Sequence, residues 1–255
     1  MTINERWVDN DGVRIRYLDS GETDPTDARP PVLLVPGFGE SVDEFRWLLE
    51  ALSPRRVVAV DVRGRGGSDA PAEGYSWDDH VGDIAAAVEA AGLDKVAAIG
   101  ISRGCSYLLG YALRHEGVRG LFIGDYYARH VKLPETWPAR ALQDVIRGVP
   151  VSERMQAHSI EGIQRDAVEV PLWPRLGEID APIWVVRGTR PSRMVTDEIA
   201  AQWTEARPDV VLHTIEGAGH DLWSKGKETF LGVVADYLAD VDARESAHGA
   251  DAVNA

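Results

Sequence analysis

A serine hydroxyl becomes a nucleophile only beside a base and on a backbone that exposes it. The segment Gly100-Ile-Ser102-Arg-Gly104 has the form that exposes it. In Gly-x-Ser-x-Gly the glycines let a strand turn into a helix so sharply that the serine stands on a strained corner. The flanks suit that turn: Val96-Ala-Ala-Ile before it is an apolar run of strand type, and residues 105–115 after it are helix-like. For the base, His220 ends the glycine-rich segment Glu216-Gly-Ala-Gly219, just past the last strand-like run, where an imidazole can bend over a sheet edge. The other histidines fit less well. His80 and His115 fall in helix-like stretches, His213 inside a strand and His248 in the tail, while His130 and His158 are candidates only for substrate contact.

Holding Ser102 and His220 together requires strands and helices in alternation. Residues 6–8 and 13–18 read as a hairpin across Asp9-Asn-Asp-Gly12, followed by a polar surface loop over 20–30. Val32-Leu-Leu-Val35 and residues 56–60 are continuous apolar runs, the mark of parallel strands covered on both faces. Helices are expected over about 41–52 and over 77–91, the second with Val81, Ile84, Ala85 and Val88 at helical spacing. After the run 120–125 the alternation breaks. Residues 126–177, interrupted by Pro134, Pro138, Pro150, Pro171 and Pro174, read as a compact helical cap. Strands resume at 182–186 and 210–215, with helices at about 196–206 and 230–241. The fold class is therefore α/β: a mostly parallel, doubly wound sheet built from 1–125 and 178–243, a cap over 126–177, and a disordered tail at 244–255. Ligands of such sheets bind at the carboxyl ends of the strands, so a catalytic residue should follow a strand.

That rule sorts the carboxylates that could orient His220. Asp125 sits directly at the end of a strand and keeps the chain order serine, acid, histidine. The loop after the next strand, Val186-Arg-Gly-Thr-Arg-Pro-Ser-Arg193, has no carboxylate, which makes Asp197, in the following helix, the alternative. Glu178, Asp180 and Asp209 precede strands, and Asp221 adjoins His220 too closely to face its ring.

Pro36-Gly-Phe-Gly39, Asp61-Val-Arg-Gly-Arg-Gly-Gly-Ser-Asp69, the elbow at Ser102 and Gly217-Ala-Gly-His220, in that order, resemble the α/β-hydrolase superfamily over about residues 14–238. The resemblance implies a serine esterase or lactonase with Ser102 as nucleophile and His220 as base. Its commonest pattern puts the acid after the strand that follows the cap; members similar to the zearalenone lactonases carry it after the sixth strand, which favours Asp125. It also implies an oxyanion hole built from the backbone N–H groups of Arg103 and Phe38. Epoxide hydrolase and haloalkane dehalogenase chemistry is disfavoured, because those relatives need a carboxylate where Ser102 stands.

Composition narrows the rest. A formal charge of −14 opposes a nucleic-acid partner, which would need clustered Lys and Arg, and disfavours strongly anionic substrates at long range. Cys105 is the single cysteine, so no intrachain disulfide or multi-cysteine zinc site forms, and no cofactor or metal is expected. Gly64-Arg-Gly-Gly67 lacks the spacing of a phosphate loop. No run of about 18 apolar residues and no basic-then-apolar leader occurs, so a cytoplasmic protein without membrane partner is expected. Tyr126, Trp137, Trp173 and Trp223 are placed to wall an apolar pocket. The expected activity is hydrolysis of a carboxylic ester or lactone of an apolar or aromatic small molecule. C–C bond or thioester hydrolysis by the same residues, and ligand binding with an idle triad, are the alternatives.

Overall fold

Asp11 and Gly12, at φ 52° and 82°, fold β1 (Asn4–Asn10) back onto β2 (Val13–Asp19), the two-residue left-handed turn that matches strand twist. This computed structural model describes residues 2–21 and 27–253; residues 22–26 of the expected polar loop and 254–255 of the expected tail lie outside the described residues. The chain continues through β3 (Val32–Val35), α1 (Arg46–Ala51), β4 (Val57–Asp61), α2 (Trp77–Ala90), β5 (Val96–Ile101), α3 (Gly104–Ala112) and β6 (Val118–Gly124). His115, expected in a helix, lies beyond the end of α3. Ser76 starts α2 by accepting the Asp79 N–H while Asp79 reaches back to the Ser76 N–H, a reciprocal cap.

Between the sixth and the next sheet strand lie β7 (Arg129–His130), α4 (Trp137–Ala141), β8 (Val145–Ile146), β9 (Val149–Pro150), α5 (Val151–Arg154), α6 (Ala157–Asp166) and β10 (Val170–Pro171). The expectation of helices alone is thus corrected, because β7 pairs with β10 and β8 with β9 in two small antiparallel ribbons. Arg147 and Gly148, at φ 48° and 80°, make the tight turn that the second ribbon needs. Then come β11 (Ile183–Gly188), α7 (Asp197–Ala206), β12 (Val211–Ile215) and α8 (Lys227–Val253). The last helix runs well past residue 241, to Val253, into the segment expected to be disordered. Its added turns carry Glu245 against Lys95 and Arg119, and an i,i+4 pair between Asp240 and Arg244.

The eight-stranded sheet has the order β1-β2-β4-β3-β5-β6-β11-β12, antiparallel where β2 meets its neighbours and parallel from β4 to β12. Alternate side chains serve opposite faces. Leu33, Val35, Val58, Val60, Val96 and Ala98 pack with Ile84, Leu108 and Trp203 of α2, α3 and α7, whereas Val32, Leu34, Val57, Ala59, Ala97 and Ile99 pack with Leu48, Phe230 and Tyr237 of α1 and α8. Val151, Met155, Ile160 and Ile163 of the cap share a small core with Tyr75, which precedes α2, and Phe38 and Trp137 lean against it.

Candidate active site

The strand order reverses around β3, which lies between β4 and β5, and the crevice of an α/β sheet opens at such a point. The turn after β3 and the elbow after β5 therefore stand side by side. Ser102 is at φ 51°, a left-handed conformation that costs a non-glycine residue about 1 to 3 kcal/mol. Surrounding contacts hold it there: its N–H donates to the Gly124 carbonyl at 2.9 Å, and a side chain on Gly104 would strike the Val35 and Pro36 carbonyls.

His220 joins this serine to an acid. Its Nδ1 lies 2.7 Å from Asp125 Oδ2 and its Nε2 2.9 Å from Ser102 Oγ. With an ionised Asp125 as acceptor, Nδ1–H donates, and Nε2 is free to accept the Ser102 proton. Asp125, also left-handed at φ 51°, is fully buried, and two backbone N–H groups complete its shell: Met194 at 2.8 Å and Val195 at 3.0 Å. The loop without a carboxylate thus contributes amides in its place. The His220 loop is tied to the same segment, since Thr189 and Arg190 N–H both donate to the Ala218 carbonyl at 2.9 Å. Asp197 is 75% exposed and pairs with Arg187 at 2.6 Å, so it is Asp125 that reaches His220.

Facing the serine, a Cβ on Gly37 would stand 2.9 Å from Ser102 Cβ, so the turn after β3 abuts Ser102. Among the described residues the backbone N–H groups of Phe38 and Arg103 have no acceptor, as donors awaiting an oxyanion would be. The Gly37 N–H is occupied instead by the buried carboxylate of Glu40, at 2.6 Å. Arg147, at the tip of the β8–β9 ribbon, pairs with Glu40, with Glu44 at 2.6 Å and with Asp221 at 3.4 Å, and its guanidinium lies 4.8 Å from the Trp223 ring centroid. Burial pushes the Asp221 carboxyl above its ordinary value, with Arg147 opposing. Arg154 adds bonds to Glu44 and, at 3.1 Å, to the Gly39 carbonyl. The cap is thereby fastened to the turn that carries Phe38. Nothing local in the sequence marks Glu40 or Arg147; the Arg147-Gly148 turn and the Gly39-Glu40-Ser41 segment meet only in the fold.

The aromatic side chains separate. Trp137 packs edge-on to Phe38 at 4.7 Å and so sits at the turn after β3. Tyr126 is buried in the sheet core, with its carbonyl accepting from Trp203 Nε1 at 3.1 Å. Trp173 packs on Trp203 of α7 and lines a separate surface depression with Arg129 and Gln202. Trp223 belongs to a cluster with Phe45, Trp47 and Phe230. Tyr126 is thus fully inside the core, whereas Trp173 and Trp223 are half-buried, packed on Trp203 and on Phe45 and Phe230.

A second polar cluster lies one helical turn along α3. Ser106 Oγ donates to the Arg103 carbonyl at 2.9 Å and accepts from His130 Nδ1 at 3.2 Å, while Arg103 Nη2 donates to His130 Nε2 at 3.0 Å. Burial, then Arg103 and Arg65, hold the His130 imidazole neutral down to about 2. His158 accepts no role at the triad; its Nε2 meets the Ala70 carbonyl at 3.0 Å on the outside of the cap. Burial raises the Cys105 thiol well above its ordinary value, which leaves it unreactive. Among the described residues no group of three or more His, Cys, Asp or Glu is placed to hold a metal, and no helix is long and apolar enough to cross a membrane.

The chain has the α/β-hydrolase fold. The sequence model of that fold family matches residues 30–145. Among curated relatives, haloalkane dehalogenase 2 of Mycobacterium tuberculosis is 33% identical over 140 residues, 54% of this chain and 44% of that protein. The chain thus spans less than half the length of the relatives it matches at that level. Among solved structures, the enol-lactonase of Burkholderia xenovorans LB400 superposes with a TM-score of 0.76 at 21% identity, over 92% of this chain and all of that one. An esterase of Exiguobacterium antarcticum gives 0.76 at 20% identity, over 91% of this chain and 98% of that one. This is a hydrolase-fold chain with esterase and lactonase neighbours.

Proposed function

We propose that this protein is a cofactor-independent serine hydrolase that cleaves a carboxylic ester or lactone of a small molecule through an acyl-enzyme. The observation that carries this reading is the unbroken hydrogen-bond chain from Ser102 Oγ through both His220 nitrogens to buried Asp125. Ser102 Oγ attacks the carbonyl carbon while His220 Nε2 takes its proton, and Asp125 stabilises the imidazolium. The Phe38 and Arg103 N–H groups receive the developing oxyanion. His220 then returns the proton to the departing alkoxide oxygen as the C–O bond breaks. Water repeats the sequence on the acyl-enzyme and restores the serine. The names of the solved neighbours, esterase and enol-lactonase, accord with this reaction class, and a serine at position 102 accords with it better than with dehalogenation.

The test is hydrolysis of 4-nitrophenyl butyrate together with fluorophosphonate labelling of wild-type protein and Ser102→Ala. Stoichiometric labelling lost in the variant, with kcat down roughly 10⁶-fold, is expected. Labelling that survives the substitution, or a wild-type protein that turns over no ester, would overturn the proposal.

A further inference from the structure

Among the described residues five arginines are nine-tenths or more buried: Arg16, Arg55, Arg63, Arg65 and Arg103. Three have carboxylates. Arg16 pairs with Asp61, Arg55 with Asp242 and Arg63 with Asp83. Arg65 and Arg103 have none among the described residues. Arg65 Nη2 and Arg103 Nε both donate to one neutral oxygen, Tyr107 OH, at 3.3 and 3.1 Å. The remaining bonds of the pair go to the Arg63 carbonyl and the neutral His130. Arg65 Nε is buried with no partner, and Arg103 Nη1 has no acceptor among the described residues.

Two buried guanidinium groups converging on one phenol repel each other and lack the counter-charge that buried ions require. Such a pair is a ready receptor for an anion, since a carboxylate accepts charge-assisted bonds from a guanidinium fork. Its place fixes what it would read. Arg103 adjoins Ser102, and Tyr107 follows four residues after Arg103, roughly 6 Å along α3. We propose that Arg65 and Arg103 form a carboxylate subsite, and that the substrate is a monoanionic ester or lactone whose free carboxylate lies a short acyl chain from the scissile carbonyl. The substrate half of this statement rests on the serine-hydrolase reading; the anion site does not. The net charge of −14 slows the approach of anions from a distance, but contact bonds to buried guanidinium groups outweigh a screened long-range field.

The experiment has a binding arm and a kinetic arm. Glutarate is titrated by calorimetry into wild-type protein, Ser102→Ala and Arg65→Met, with melting temperature as a second readout. Hydrolysis of mono-4-nitrophenyl glutarate is compared with that of 4-nitrophenyl butyrate. Expected are glutarate binding and a raised melting temperature in wild type and Ser102→Ala, and at least a tenfold loss of affinity in Arg65→Met. In kcat/KM the wild type should prefer the anionic ester at least tenfold, and Arg65→Met should lose that preference through KM. Wild-type protein that neither binds glutarate nor prefers the anionic ester overturns the subsite, whatever the variant does. Glutarate binding without hydrolysis of either ester upholds the subsite and sinks the hydrolase reading; hydrolysis of both esters without preference or binding does the reverse.

Discussion

Two serine–histidine pairs leave the start of α3 one turn apart, and they differ in what stands behind the imidazole. His220 bonds Ser102 with one nitrogen and buried Asp125 with the other; His130 bonds Ser106 with one and the Arg103 guanidinium with the other. A carboxylate behind the ring welcomes a proton on it, whereas a guanidinium in a buried setting forbids one. The first pair is therefore fit for proton transfer, and the second is a neutral structural relay held by burial. The backbone repeats the contrast. Ser102 stands at φ 51° opposite free N–H groups, while Ser106 lies inside a regular helix with its hydroxyl spent on the Arg103 carbonyl.

The sharpest way to break this contrast is to neutralise the acid. Asp125→Asn should lower kcat about 10⁴-fold, close to 5.5 kcal/mol of barrier, as in other triads that lose the orienting charge. Steady-state ester hydrolysis measures it, and an unchanged rate would assign the orienting role elsewhere. Next comes the oxyanion turn that only Ser102 faces. Gly37→Ala places a methyl 2.9 Å from Ser102 Cβ and should cost about 10² to 10³ in kcat by displacing the Phe38 donor, with KM little altered.

The relay pair predicts a pH dependence of stability. His130 is held neutral to about 2 in the folded chain, and burial lowers His80 as well, whereas both titrate near 6.5 when unfolded. With the folded value below the unfolded one, the stabilisation is complete above about pH 6.5 and is lost as pH falls toward the folded value. Between pH 7 and pH 5, His130 alone should cost roughly 2 kcal/mol of unfolding free energy in urea titrations. His130→Gln should flatten that slope by about the same amount, and a slope identical to wild type would place the proton elsewhere. The smallest effect belongs to Ser106→Ala. It deletes one buried hydrogen-bond partner, so stability should fall by about 1 kcal/mol while kcat changes less than about twofold.

Much of this arrangement was legible in local sequence because its causes are local. The elbow glycines, the apolar runs of β3, β4 and β5 and the glycine loop before His220 each act within a few residues. Segments whose state depends on distant partners read less well. The tail looked disordered because it is polar, yet Lys95 and Arg119 meet Glu245 and extend α8. A proline-rich cap hides which neighbours its aromatic residues meet, and only the fold sets Trp173 against Trp203 of α7. Arg147, an arginine in a polar turn, has no distinction until Glu40, Glu44 and Asp221 surround it.

The sequence by itself determined the α/β alternation, the strained corner under Ser102 and the placement of His220 at the active edge, because backbone geometry and apolar periodicity are short-range. Only the tertiary structure decided between Asp125 and Asp197, and it did so by turning the Met194 and Val195 amides onto one buried carboxylate. The same holds for charge. Arg63 and Arg65 stand two residues apart in one loop, and only the fold supplies Asp83 to the first and no carboxylate, among the described residues, to the second. Electrostatic balance is a property of side chains brought together from afar, so one-dimensional spacing cannot report it.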